Sequence, residues 1–371
     1  MGNFILKELT TSNIESELEK IGFDIAYRVK ASDKFRYKTF KIFDLTLPQA
    51  NILKQTALSF GTDCGVHRDV LTAKIDKTDV ILGGSYSQIR KICEKLKLQP
   101  FSMKLLAEDI LENLNRQNRQ TKLVGIVNVT PDSFSDGGNY INPENAIKQI
   151  HKLIEEGADI IDIGAESTKP YSEPVSAKEQ IERLKPVLKN ISDIKIPISV
   201  DTRCSEVADF ALNNGVQIIN DVSGLNFDDK IADIVAQYNA SIILQHSTSK
   251  TEDKPIYNDV VEEVYLDLRN KVKTAKEKGV KNVIIDPGIG FGKSQADCFE
   301  ILNRIEEFYS LNIPIMVGVS RKSFLGVSDS KDNDLKDSLT LAISYPLIKS
   351  NVDYLRVHNV KLHRQLLNSV I

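Results

Sequence analysis

The chain has 371 residues, 41% hydrophobic and 27% charged, with a formal net charge of -3. That length exceeds a comfortable single core and favours two domains. The nearly balanced charge gives no bulk reason to expect nucleic acid or an anionic membrane as partner, though a local basic pocket for a small anion stays open. No stretch approaches the roughly 18 apolar residues of a membrane span, and the N-terminus lacks the basic-then-apolar order of a secretory signal. The expectation is a cytoplasmic protein. Four cysteines, Cys64, Cys93, Cys204 and Cys298, are far apart with no C-x-x-C pair. They read as scattered reduced thiols rather than a zinc site or a disulfide framework.

Residues 1–118 read as a small α+β domain of unknown role. The pattern predicts a helix over 48–60 and another carrying Ile89, Ile92 and Leu96. Between them, apolar runs at 70–75 and 80–82 flank Asp76-Lys77-Thr78-Asp79 like a hairpin. The polar stretch 113–122, NLNRQNRQTK, is taken as the domain joint.

From Leu123 onward the pattern alternates. A short apolar run at 123–127 suits a strand buried on both faces. A helix then opens at Asn142-Pro143, carries Ile147, Ile150 and Ile154 on one face, and stops at Gly157. A strand at 160–163 precedes a helix with the capping-box pair Ser176 and Glu179, which Pro186 should kink or shorten. Further strands are predicted at 198–200, 217–219, 242–244, 283–285, 315–317 and 354–356, each followed by a helical pattern. The clearest of these runs through Val261, Val264, Leu268, Val272 and Ala275 to Gly279. Eight strand–helix units over 119–371 have the size and rhythm of a (β/α)8 TIM barrel, about 250 residues. A doubly wound open sheet is the competitor, since alternation alone does not distinguish it.

The unusual residues follow the strand patterns, which in a TIM barrel is the C-terminal mouth. They are Asn128-Val129-Thr130-Pro131-Asp132-Ser133-Phe134-Ser135-Asp136-Gly137-Gly138, Gly164-Ala165-Glu166-Ser167-Thr168-Lys169-Pro170, Asp201-Thr202-Arg203, Asn220-Asp221, Asp286 through Ser294, Gly318 through Gly326, and Arg356-Val357-His358-Asn359. A lone Asp at a strand end is more often a helix cap than a ligand group, but several aimed into one mouth need partners. The run 286–294 is neither a P-loop, because Pro287 stands where the first glycine belongs, nor a G-x-G-x-x-G fingerprint. Its glycines instead suit close approach of backbone to a flat ligand. Lys322, Arg356 and His358 gather at units seven and eight, the phosphate corner of this fold. His246 also ends a strand and reads as a satisfied core or rim histidine. No pair of histidines has metal-ligand spacing. Carboxylates suit a ligand edge rich in N–H donors, and cations suit a departing diphosphate.

In order along the chain, IVNVTPDSFSDGG, DIGAESTKP, SVDT, IIND, IDPGIGFGKS, GVSRKSFLG and RVHNV resemble the motifs of dihydropteroate synthases. The resemblance spans Leu123 to about Lys361. It implies that 6-hydroxymethyl-7,8-dihydropterin diphosphate and p-aminobenzoate are joined to give dihydropteroate and diphosphate. It also implies that Asp201, Asn220, Asp286 and Lys322 hold the pterin, with Asp201, Asp286 and Lys322 catalytic. Asn128 would meet Mg2+ and, with Arg356 and His358, the diphosphate. Thr168, Lys169, Pro170 and Ser323 would border p-aminobenzoate. The family implies diphosphate departure before amine attack, sulfonamide competition, and a homodimer as the expected assembly. Departures from the usual pattern are Ala165, Lys169, Tyr171, Gln245 and Asn359, together with an acidic 327–337 segment.

Three other readings compete with this one. A methyltransferase that serves a corrinoid protein would share the pterin-binding Asp and Asn but needs neither the Thr168–Pro170 loop nor Ser320-Arg321-Lys322-Ser323. A non-catalytic pterin-binding paralogue predicts damage at Asn128, Lys322 or His358, and all three are intact. A fused pterin pyrophosphokinase in 1–118 has no nucleotide motif there to support it.

Overall fold

The computed structural model describes residues 5–10, 13–117, 119–129, 143–166, 175–248, 255–327 and 332–370. The chain divides into two compact units, Met1–Gln117 and Asn118–Ile371.

The first unit holds a three-stranded antiparallel sheet in which β3 (Lys77–Ser85) lies between β1 (Tyr37–Thr46) and β2 (Cys64–Val66). Helices Leu47–Ser59, Tyr86–Leu96 and Met103–Leu114 share a core with it around Leu53, Leu82, Ile89, Ile92 and Met103. Two of these helices start from sequence-encoded capping boxes, Thr46 with Gln49 and Ser85 with Gln88, each satisfying otherwise orphaned backbone donors. The hairpin expected from 70–75 and 80–82 does not form. Arg68–Val70 is a short 3-10 turn instead, and Ala73 takes a left-handed φ of 51°, which breaks any extended run. Residues 80–82 pair with 40–42 of β1 and with 64–66 of β2.

The second unit is a parallel barrel of eight strands: β4 (Lys122–Asn128), β5 (Ile160–Gly164), β6 (Ile198–Asp201), β7 (Ile218–Asp221), β8 (Ser241–Gln245), β9 (Asn282–Asp286), β10 (Met316–Val317) and β11 (Tyr354–Val357). They pair in the order β10-β11-β4-β5-β6-β7-β8-β9, and a parallel bridge from Ile285 to Ile315 closes the ring. The closed sheet decides against the open one. Each strand is followed by a helix, and the outer core between helices and strands includes Leu123, Ile161, Val200, Leu244 and Phe308. The helix Ala177–Leu188 stops two residues past Pro186, which has no N–H to donate to the Glu182 carbonyl.

The barrel interior decides the rest. A separate apolar cluster of Val124, Ile160, Ile218, Ile243, Ile284 and Met316, with Tyr354 against it, plugs the barrel from within. Because side chains along a strand alternate faces with period two, the next inward residues toward the C-terminal ends are Ile126 and Asn128, Asp162, Asn220, Gln245, Asp286, Gly318, and Arg356. An apolar floor thus gives way, one layer up, to a polar mouth. Phe308, fully buried in the outer core and 6.2 Å from the Tyr265 ring, tests that packing. Phe308→Ala should cost about 3–5 kcal/mol in urea unfolding of the full chain, as expected for a cavity in a close-packed core; a loss under about 1 kcal/mol would mean the site collapses freely.

Candidate active site

One cation ties three strands together at the mouth. Arg356 on β11 donates from Nε to Asp162 Oδ2 on β5 at 2.6 Å and from Nη2 to Asp201 Oδ2 on β6 at 2.9 Å. Asn220 on β7 donates from Nδ2 to the same Asp162 oxygen at 3.0 Å, which fixes its amide orientation and leaves its own oxygen without a partner among the described residues. Asp162 is 0% exposed, so its charge depends on these partners. Burial raises the Asp201 carboxyl to about 7 against the pull of Arg356, with the Asp162 charge adding to the rise. Among the described residues, the Oδ1 atoms of Asp162 and Asn220 and the Oγ of Ser199 are buried without a hydrogen-bond partner. Buried polar atoms are normally satisfied. Here two unpaired acceptors and a hydroxyl lie around a single arginine-bridged pair of carboxylates.

The loop after β9 forms the next wall. Asp286 accepts from the Gly288 amide at 2.7 Å, and burial raises its pKa against the pull of Lys322. Gly288 and Gly292 have φ of +68° and +63°, and a Cβ would lie 1.9 Å from the His246 carbonyl oxygen and 2.0 Å from Thr248 Oγ1. Only glycine lets this loop close on the end of β8. Lys322 donates to the Ile289 carbonyl at 2.6 Å and lies 4.6 Å from the centre of the Phe291 ring. Burial lowers its pKa to about 8, although Asp286 opposes the shift.

On the third side, Ser320 Oγ accepts from the His358 amide at 3.2 Å and lies 2.9 Å from His358 Nδ1. Burial, and then Arg321 and Arg356, lowers His358 to about 3, so the ring is neutral near pH 7. With the Ser320 proton directed to Nδ1, the ring proton sits on Nε2, leaving a donor free for an anion. Arg321 lines the same cavity as His358 but is already paired. Asp337 holds it through two bonds of 2.7 and 2.8 Å and also accepts from Asn359 at 2.9 Å. An aspartate at position 359 would oppose Asp337 with a like charge, so Asn359 and Asp337 fit as a pair.

Of the residues singled out in the sequence, Asp201, Asn220, Asp286, Lys322, Arg356 and His358 converge on this mouth. Asn128 is half-buried at the end of β4, with its Oδ1 3.6 Å from where a Gly164 Cβ would lie. Ser323 is exposed on the turn Ser323–Leu325. Thr168, Lys169, Pro170 and Tyr171 fall outside the described residues, as does most of the loop after β4. Asp221 is a loop cap: it accepts from the Ser223 amide and hydroxyl and the Leu225 amide at 2.6–2.9 Å. His246 is a buried, neutral ring whose Nδ1 lies 2.8 Å from Lys293 Nζ. Gln245 faces inward and donates to the Val222 carbonyl at 3.2 Å. Asp162, Ser199, Ser320 and Lys293 lie within the motifs quoted from the sequence but were given no role there. For Asp162 the signal was present: one carboxylate inside the apolar run Ile160-Ile161-Asp162-Ile163, in phase with Ile160.

Comparison with known proteins agrees with this geometry. Residues 124–358 match the family model described as pterin binding enzyme. A dihydropteroate synthase of Clostridium beijerinckii is 40% identical over 245 residues, covering 65% of this chain and 90% of that protein. A protein of Halobacterium salinarum, named a probable bifunctional folylpolyglutamate synthase/dihydropteroate synthase, is 39% identical over 333 residues and 84% of this chain. That share reaches well into the N-terminal unit, yet the chain spans only 40% of the Halobacterium protein's length. The structure of Xanthomonas albilineans dihydropteroate synthase with 4-aminobenzoic acid superposes with a TM-score of 0.64 at 35% identity, covering 68% of this chain and 92% of that one. The eight-stranded mouth, its bridged carboxylates and these likenesses converge: the chain belongs to the dihydropteroate synthase family of pterin-binding enzymes.

Proposed function

We propose that the barrel condenses 6-hydroxymethyl-7,8-dihydropterin diphosphate with p-aminobenzoate, releasing diphosphate and forming 7,8-dihydropteroate. The observation that carries this reading is the set of buried, unpaired acceptors beside the Arg356 bridge. An aminopyrimidine edge presents adjacent N–H donors, and Asp201 with the free Oδ1 of Asn220 suits such an edge. Asp286 and Lys322 close on it from the neighbouring strands. Arg356 and His358 Nε2–H offer donors to the diphosphate, and Asn128 offers an amide oxygen.

That amide is a hard oxygen donor of the kind Mg2+ takes, and among the described residues no cluster of three His, Cys, Asp or Glu side chains could hold a metal alone. Asn128 together with substrate oxygens would therefore hold it, where its charge would offset that of the leaving group. In the chemical step, the methylene C–O bond breaks with its electron pair going to diphosphate. The pterin cation then takes the aniline lone pair to form the C–N bond, and the nitrogen loses a proton. Asp201 and Asp286 act on the positive charge as it develops, in a site whose dipoles are already fixed. Thr168, Lys169, Pro170 and Ser323 are assigned to the p-aminobenzoate side by motif, and sulfonamides should compete there.

Incubating the full chain with dihydropterin diphosphate, p-aminobenzoate and Mg2+ should yield dihydropteroate and diphosphate in equal amounts. Intact pterin binding by calorimetry with neither product would instead favour a non-catalytic pterin-binding paralogue. The site also predicts a pH dependence. Asp201 sits near 7 and must be ionised to accept two N–H bonds. Affinity for 6-hydroxymethyl-7,8-dihydropterin should therefore rise up to roughly tenfold between about pH 6 and pH 8. Asp201→Asn should flatten that slope; an equally steep slope in the variant would remove Asp201 from the pterin edge.

A further inference from the structure

Lys293 carries a buried amine. It is 5% exposed, and among the described residues no carboxylate lies within ion-pair distance of it. Its Nζ reaches the Gly288 carbonyl at 2.9 Å, the Phe291 carbonyl at 3.2 Å and His246 Nδ1 at 2.8 Å, with the His246 carbonyl at 3.5 Å. Because burial depresses a lysine, its pKa falls to about 7. A hydrophobic side chain of the same length would carry no desolvation cost of its own, but it would leave the Gly288 and Phe291 carbonyls without this donor.

What the amine does is gather a loop. Gly288, Gly290 and Gly292 all take left-handed φ, of +68°, +84° and +63°, and the Gly288 and Phe291 carbonyls converge on Nζ. The same loop supplies the amide that binds Asp286, the Ile289 carbonyl that accepts from Lys322 at 2.6 Å, and the Phe291 ring beside Lys322. On the loop's far side, Ser294 caps the helix Gln295–Asn303 in a capping box with Asp297, which anchors the lysine's own backbone. A glycine-rich loop has many conformations available, and each positive-φ glycine adds to them. One donor with three directed hydrogens can select a single one.

We propose that Lys293 is a positioning residue for the reaction. Its amine holds the Gly288 and Phe291 carbonyls, and so locks the 288–291 loop in the arrangement that fixes Lys322 and Asp286 against the pterin. It touches neither substrate and acts through Lys322. This rests on the synthase reading above, and the test separates the two.

The experiment is a double-mutant cycle on the full-length enzyme, with Lys293→Met, Lys322→Ala and the pair, assayed for dihydropteroate formation. Lys293→Met should lower kcat/KM by at least roughly thirtyfold, a size expected when a supporting group is lost from a preorganised site. In the Lys322→Ala background the same change should cost less than about threefold, because residues that act through one another are not additive. Lys293→Gln keeps two donors for the same carbonyls. It should recover at least about tenfold of the loss, which a change in folding alone would not predict, and it carries the comparison if the Met variant does not fold. Full multiplication of the two losses, or a Met variant within about threefold of wild type, would overturn the proposal. If the wild-type enzyme forms no product, the synthase reading fails by itself. The same cycle, read as affinity for 6-hydroxymethyl-7,8-dihydropterin by calorimetry, then still reports whether Lys293 and Lys322 are coupled.

Discussion

Arg356 bridging Asp162 and Asp201 is the contact on which the mouth depends. Two carboxylates on neighbouring strands of a closed barrel cannot both stay charged without a cation, and their desolvation cost is large. Arg356 reaches both because β11 lies on the other side of β4 and its inward side chain crosses the opening. The guanidinium offers donors in a planar fork that lysine would not reproduce. With that bridge in place, Asn220 is oriented by the oxygen it shares, and its own carbonyl is left for a ligand. The pocket is thus electrostatically prepared before any substrate arrives, which is what a site that stabilises developing positive charge requires.

The other half of the mouth uses backbone rather than side chains. Its glycines allow the loop after β9 to press against the end of β8, and its carbonyls engage two lysines, Lys293 below and Lys322 toward the cleft. Burial lowers both amines, to about 7 and about 8. Opposite, His358 is held neutral with its donor outward. Carboxylates therefore gather on one side of the mouth and hydrogen-bond donors on the other.

Much of this was legible because strand periodicity carries it. An eight-unit rhythm gave the barrel, and placement at strand ends gave Asp201, Asn220, Asp286 and Arg356. Asp162 was overlooked because it stands within a strand rather than at its end; the apolar plug of Val124, Ile160, Ile218 and their neighbours sets the inward phase that would have found it. The role of Lys293 depends on where loop carbonyls point, which no residue pattern encodes. Asn359 reads in sequence only as a departure from the family pattern, and its bond to Asp337, 22 residues earlier, supplies its structural reason. In the first unit, local apolar runs misled: β3 chose β1, which lies more than thirty residues earlier, over the nearby segment at 70–75.

The central claim is that fixed carboxylates let diphosphate leave before the amine attacks. Positional isotope exchange tests this directly. Dihydropterin diphosphate carrying 18O in the methylene bridge is held on the enzyme without p-aminobenzoate and then recovered. Departure and return of diphosphate predict that label moves to the non-bridging oxygens of the proximal phosphate. Label that stays wholly in the bridge, in enzyme that makes dihydropteroate once p-aminobenzoate is added, would contradict the account.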